Sequence, residues 1–446
     1  MNAVCRGWSW VGLLGVGLVF WAGSALRAEP VPVGEVPPVA EPPQQIQEVQ
    51  DAVTRFRNGD IDGARALLVA ACKKHADLPP ADVIMAQLFA SVGQLDQAIR
   101  SLESALKESP NDPEAFVILA DLEFRGGRTT AAKFLYSQAE RLLGDFKGTA
   151  RRKKLILQRM CSGMAGLAEA AEDWPTAQKY LEMWLKEDPE NVVALQRLGR
   201  ALFQQNKTDE AMEKFRAAKK ANDQVLTPEA IMAQLYESAG QREQAAKMMV
   251  AALNAEPKNL QTRLAAAQWA FDTEQYDQAK AQVEIALKLD PNSFQAKMLA
   301  GLVAYFMKDY KAAEQYFESA HLQSPGNFAA LNNWALALTE QDEEAKKRKA
   351  LEVAQIGVQA FGNFSEAWST YGWVLYRLGR LNEADQALGR AASSGQLSPD
   401  TAFYIARVMV DRGQTDRAKE LLKQALQTKR PFSKRQEAEA LLKGLR

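Results

Sequence analysis

The chain has 446 residues with 55 basic and 55 acidic side chains, so its formal net charge is zero. That balance offers no concentrated basic surface for a nucleic-acid backbone. Three cysteines and two histidines are too few and too scattered for a disulfide framework or a metal-ligand set.

At the N-terminus, Arg6 precedes an uncharged run from Gly7 to Leu26 that contains Val11, Leu13, Leu14, Val16, Leu18, Val19 and Phe20. This is the layout of an export signal, with the small residues Ala22 to Ala25 supplying a cleavage site after Ala25 or, less well matched, after Ala28. The competing reading is a retained anchor, because the run can just span a bilayer with Trp8, Trp10 and Trp21 at its two interfaces. Residues 1–28 are thus read as a signal peptide or an N-terminal membrane anchor. Either places the rest of the chain outside the cytoplasm, in the periplasm or cell envelope, anchored in the inner membrane in the second case. Cys5 comes before the apolar run, so it is not a lipid-attachment cysteine. Residues 29–44, with Pro37, Pro38, Pro42 and Pro43, read as an extended proline-rich linker.

From Gln45 the sequence divides into windows of 34 residues starting at Gln45, Pro79, Pro113, Gln158, Val192, Leu226, Leu260, Phe294, Phe328, Ser365 and Pro399. Windows one to three cover residues 45–146 and windows four to eleven cover 158–432. Register slips at a basic insertion, residues 147–157, and at three extra residues around Gln341 to Ala345. A period of this length belongs to a stacked array that grows by neighbour contacts, so a single elongated body is expected instead of three domains.

Within a window, slots 4, 7, 8 and 11 are apolar or small, as in Leu331, Trp334, Ala335 and Leu338, and slots 20, 24 and 27 repeat the pattern in Ala313, Phe317 and Ala320. Both spacings put side chains on one helical face. Slot 15 is often glycine (Gly93, Gly127, Gly240, Gly379, Gly413), suited to a positive φ at a helix end. Proline at slot 32 (Pro257, Pro291, Pro325) stops the second helix. Each window therefore reads as helix, turn, helix. Residues 433–446 read as a last amphipathic helix that caps the open end, with Ala438, Leu441, Leu442 and Leu445 inward and Lys434, Arg435, Glu437, Glu439 and Lys443 outward.

The pattern resembles the tetratricopeptide repeat family, shown well by the tenth window with Trp368, Tyr371, Gly372, Leu375, Ala384, Leu388 and Ala391 in the family's slots. The resemblance covers Gln45 to Phe432 and implies an all-α fold: a right-handed α-solenoid of about eleven repeats, of an exported bacterial type. Trp184 stands where the family has alanine, and Gly163 and Gly166 are expected to make room for it.

Chemistry finds little foothold. Cys72 and Cys161 fall on helices as core residues, and His75 and His321 read as surface residues, the latter at a helix C-terminus whose dipole favours a protonated ring. No nucleophile and base sit together in a motif, so no enzyme activity, cofactor, metal or small-molecule substrate is expected. The run Arg151, Arg152, Lys153 and Lys154 reads as a solvated face, with contact to an acidic partner or anionic lipid as the alternative.

In the family, the first helices line the inner curve through slots 2, 5, 9, 12 and 13. Carried onto this chain, those slots are mostly polar in the N-terminal half, at Gln87, Asp121, Arg125, Arg200, Gln204, Gln234 and Glu237, with Phe124 and Phe203 nearby. In the C-terminal half they hold Phe271, Met298, Leu302, Tyr305, Phe306, Trp373, Tyr376 and Phe403, with Arg377 and Arg407 at the edge. Large aromatic side chains exposed in a groove would grip an apolar segment of another protein; the alternative is that they pack against neighbouring windows or the insertion near Gln341. The expected function is a noncatalytic protein-protein interaction scaffold that binds a protein or peptide. The alternative is an accessory subunit of a membrane-bound polymer-synthesis or secretion complex, with the solenoid as spacer.

Overall fold

A computed structural model describes residues 46–445 apart from 394, 396, 429 and 430. The export segment, the proline-rich linker, Cys5 and Gln45 lie outside the described residues. The described residues form 23 helices and no strand. In chain order they begin with α1 (Gln47–Arg57), α2 (Ile61–Lys74), α3 (Ala81–Ser91), α4 (Leu95–Glu108), α5 (Pro113–Arg125) and α6 (Thr129–Gly144). Next are α7 (Ala150–Ala170), α8 (Trp174–Glu187), α9 (Val192–Gln204), α10 (Thr208–Ala221), α11 (Pro228–Ser238) and α12 (Arg242–Ala255). Then come α13 (Leu260–Asp272), α14 (Tyr276–Leu289), α15 (Phe294–Phe306), α16 (Tyr310–Gln323), α17 (Phe328–Thr339) and α18 (Glu344–Phe361). The last are α19 (Ser365–Arg377), α20 (Leu381–Ala392), α21 (Pro399–Asp411), α22 (Thr415–Leu426) and α23 (Arg435–Gly444). Contacts divide the described residues into an N-terminal unit ending at Met248 and a C-terminal unit from Met249. In each unit consecutive hairpins pack side by side, as the α-solenoid reading requires. Among the described residues no helix is long and apolar enough to cross a membrane.

Every window folds as helix, turn, helix, and the turn is a matter of backbone more than of glycine. Slot 15 has positive φ in ten of the eleven windows: Gly59, Gly93, Gly127, Gly240, Gly379 and Gly413, but also Glu172, Asn206, Glu274 and Lys308, at 55° to 63°. The left-handed conformation closes the first helix so that the second can turn back onto it. The ninth window escapes because its three extra residues rebuild the turn between α17 and α18. At the other end, the second helices α12, α14 and α16 stop two residues before Pro257, Pro291 and Pro325. The next first helix is then capped by a side chain two residues past the proline: Asn259 receives Thr262 N–H, Ser293 receives Ala296 N–H and Asn327 receives Ala330 N–H, at 3.0 to 3.2 Å.

Small residues set the closeness of helices. Ala245, Ala279, Ala313, Ala252, Ala286 and Ala320 are fully buried. At slot 24 the partner of slot 8 depends on size. Phe215 and Phe317 each lie against a glycine, Gly199 and Gly301, where an added Cβ would meet the ring at 2.6 and 2.5 Å. Where slot 8 is alanine the facing residue is usually aliphatic, as in Ala86 with Leu102 and Ala165 with Leu181, all buried. Tyr136 is the aromatic exception, facing Ala120 in its own window, and it finds its room at Gly163 of the next hairpin. Gly163 and Gly166 therefore accommodate Tyr136 and Phe124, not Trp184 as expected.

The basic insertion lengthens α7 to 21 residues, starting at Ala150. Only part of its charge is solvated. Arg152 is buried, bonded to Asp112 and Glu114 at 2.9 and 2.7 Å and lying over the Phe146 ring. Arg151 and Lys154 are exposed and Lys153 is half-buried. The four-residue run is thus not one surface, because a helix sends its second member inward.

Candidate functional site

In the C-terminal unit the first helices α15, α17, α19 and α21 lie along one face, and the side chains expected to be exposed there are mostly shielded. Phe271, Met298, Leu302, Tyr305, Trp373 and Phe403 are each 5% exposed or less, and Phe306, Tyr376, Arg377 and Arg407 are half-buried. They pack on one another: Trp373 stacks on Tyr404 with ring centres 4.4 Å apart and on Tyr376 at 5.2 Å, and Phe271 meets Phe306 edge-on at 4.9 Å. The two arginines are committed as well. Arg377 donates to Glu340 at 3.0 Å, and Arg407 Nε donates to the Tyr376 hydroxyl, which in turn donates to Asp411. The exposed aromatic groove of the sequence reading is corrected on this point.

The end of the chain also lies on this face. Residues 431–445 return from α22 toward α15. Ser433 Oγ donates to the Asp400 carboxylate at the start of α21, and Phe432 is buried. Lys434 lies 2.6 Å from Glu340 at the C-terminal end of α17, both side chains being 4% exposed. Its ammonium also sits 5.9 Å above the Tyr310 ring and 6.0 Å above that of Trp373. Further along, Lys308 donates to Gln436 at 3.1 Å and lies 3.8 Å from Glu437. Leu441, Leu442 and Leu445 pack on the same core. The segment expected to cap the open end thus contacts α22 and also bonds to residues at the ends of α15, α17 and α21. Lysine and serine ahead of the helix find acidic partners there, which an end-cap would not offer.

Glu340 is the centre of this arrangement. Its carboxylate accepts from Trp373 Nε1 at 2.8 Å, from Arg377 and from Lys434. Two aromatic faces beside a carboxylate form a site for a cation, since a ring's negative face and a formal charge both favour an ammonium. Burial pushes the Asp400 carboxyl up to about 6, against the pull of Ser433 and Lys434. It also pushes the phenols of Tyr305 and Tyr404 well above their ordinary range, so neither is a base near neutrality.

Glu340, Asp400, Tyr310 and Tyr404 are not singled out by the sequence, and Lys434, expected outward with Arg435, Glu437, Glu439 and Lys443, is buried on Glu340 instead. A signal existed for two of them: Asp400 is slot 2 and Glu340 slot 13 of their windows, both on the inner list. Lys434 carried none, because its partner lies in another repeat.

In the N-terminal unit the corresponding face is polar, and much of its charge is internally paired. Asp121 accepts from Tyr136 and from Arg159, and Arg197 holds Glu169 at 3.0 Å and Ser162 at 2.9 Å. Burial raises the Asp121 carboxyl above its ordinary value. Gln87, Phe124 and Phe203 are also buried. Arg125, Gln204 and Gln234 are exposed, and Arg200 and Glu237 are half-buried. Burial lowers the Arg200 guanidinium, offset in part by Glu169.

Cys161 is buried and Cys72 half-buried, both as free thiols, and burial raises them to about 12 and about 11. Such thiols stay protonated and unreactive. His75 and His321 are half-buried instead of exposed. His321 stacks on Trp334, and burial lowers its pKa, opposite to the dipole expectation. Among the described residues no three His, Cys, Asp or Glu side chains are placed to hold a metal ion.

Family models agree with the hairpin pattern. Two family models described as tetratricopeptide repeat match, one at residues 84–142 and 264–328 and the other at 168–235. No curated protein matches the sequence. Among solved structures, yeast Tom70 is similar at 17% identity, covering 89% of this chain and 94% of that one, with a TM-score of 0.37. A tetratricopeptide repeat protein from Parabacteroides merdae is similar at 14% identity over 65% of this chain and 98% of that one, with a TM-score of 0.39. The Cut9–Hcn1 hetero-tetramer of the APC/C matches at 14% identity over 89% and 83%, with a TM-score of 0.41. With their 34-residue windows, left-handed turns and paired helices, the matched stretches are tetratricopeptide repeats, and the chain is a repeat protein of that kind.

Proposed function

We propose that the protein is a noncatalytic scaffold that holds a segment of another protein against the first helices of its hairpins, outside the cytoplasm. One observation carries the reading: the first-helix face of the C-terminal unit already holds a stretch of polypeptide, residues 431–445, through side chains that suit a peptide. A surface that receives one segment by charge and aromatic contact has the chemistry to receive another. The polar face of the N-terminal unit, with Arg125, Gln204 and Gln234 exposed, is a second docking surface. Export rests on Arg6 and the uncharged run from Gly7 to Leu26.

The test is photo-crosslinking in living cells from a probe at Gln204 or Gln234, with a probe at the exposed Glu210 on α10 as control. The expected result is a discrete protein adduct from the first two positions, absent from the third and weakened by Arg200→Glu. Equal adducts from all three, or none, would sink the reading. Alkaline phosphatase fused after Thr428 should be active if the repeats are exported, and inactive if they stay inside. The spacer alternative draws support from Arg151, Lys154 and Leu155, which are exposed together on α7. Under that reading, reversing the two charges would abolish binding to anionic vesicles.

A further inference from the structure

The end of the chain grips its face at one point and lies on it elsewhere. The grip precedes α23: Phe432 and Lys434 are buried, and Ser433 reaches Asp400. Within α23 only Ala438 is buried, the leucines are half-buried, and the link from Lys308 to Glu437 is a long, exposed ion pair of small value. The Lys434–Glu340 pair is removed from water, and such a pair specifies position more than it adds stability, because desolvation offsets most of the attraction. A segment held this way is placed accurately and released at modest cost. Beneath it the Glu340 carboxylate, also held by Arg377 and Trp373 Nε1, lies beside the Tyr310 and Trp373 rings, and release of Lys434 would free the ammonium's share of that site while Arg377 stays in place.

We propose that residues 431–445 are a displaceable resident of this face, and that the outside segment which takes their place has the same chemistry: a lysine set just ahead of a short amphipathic helix. The negative charge of Glu340 and the apolar floor around Trp373 select that occupant over an acidic one. The proposal deepens the scaffold reading and rests on it for the existence of an outside partner. Displacement itself is measured without that partner.

The experiment uses the full chain and a labelled synthetic peptide of residues 431–446. Wild type should bind the peptide weakly. The full chain carrying Ser433→Ala and Lys434→Ala should bind it at least tenfold more tightly, while a peptide with acetylated Lys434 should lose that gain. Hydrogen exchange is read in parallel. Amides of α23 should exchange at least tenfold faster in the double variant, with those of α15, α17 and α19 unchanged. Unchanged protection of α23, equal affinity for the acetylated peptide, or loss of protection throughout α15 to α21 would each overturn the proposal, the last because the segment would then be part of the core. A wild-type dimer dissociated by the peptide would overturn it in favour of a second copy as occupant. Failure of the Gln204 and Gln234 crosslinks leaves these readouts intact, so the two ideas fall separately.

Discussion

Replacing glycine by alanine should have opposite effects at two helical positions of this chain. At Gly389 in α20 nothing lies within 4 Å of an added methyl, so the variant keeps only the gain in helix propensity, up to about 1 kcal/mol. At Gly301 in α15 the same gain applies, but the new Cβ would stand 2.5 Å from Phe317 Cε1, with two more ring atoms within 2.8 Å. Carbon atoms rest about 3.5 to 4.0 Å apart, and the Phe317 ring is fully buried, so it cannot swing into solvent. An overlap of about 1 Å belongs at the upper end of overpacking costs, about 3 kcal/mol. Subtracting the propensity gain leaves a net loss of about 2 kcal/mol. Adding Phe317→Leu recreates the pairing of Ala165 with Leu181 and should recover at least half of that loss. Because a repeat array need not unfold in one step, the measurement is hydrogen exchange of α15 and α16 amides, with thermal melts as a second readout. If Gly301→Ala stabilises as much as Gly389→Ala, or if Phe317→Leu fails to rescue it, the packing rule is wrong.

Three further outcomes are expected. Glu172→Gly should raise the melting temperature, since a side chain at φ 55° costs about 1 to 2 kcal/mol and glycine's added unfolded freedom returns only part of it. Asp121→Leu should destabilise the N-terminal unit by about 3 to 5 kcal/mol in urea melts, because Arg159 would be left buried without its carboxylate. Asp400 is raised from about 4 in the unfolded chain to about 6 in the folded one. Its contribution to stability is therefore full below pH 4 and is lost as pH rises through 6. Melts of wild type should rise from pH 7 to pH 5 relative to Asp400→Asn, by about 1 kcal/mol, and a gap that widens the other way would reverse the argument.

The hairpins were legible because period, helical spacing and proline stops are local signals, and each window repeats them. Slot 15 was only half legible. Glu172 and Lys308 adopt the left-handed turn with no compositional mark, since the surrounding hairpin imposes it. The aromatic face was located from slot positions, but its exposure was not. Trp373 is kept from water by Tyr376, by Tyr404 of the next hairpin and by Lys434, whose seat depends on a pair with Glu340 that is distant in sequence. Charge on α7 failed for a similar reason: Arg152 turns inward because Asp112 and Glu114 await it one hairpin earlier.

The buried pair of Lys434 with Glu340 joins residues 94 positions apart, in an array whose other links run mainly between adjacent hairpins. An open row of such hairpins can peel from its free end one at a time. A clasp that reaches back across several of them ties their fates together, so the last repeats should come apart under mechanical load as one block, and one by one once the clasp is cut.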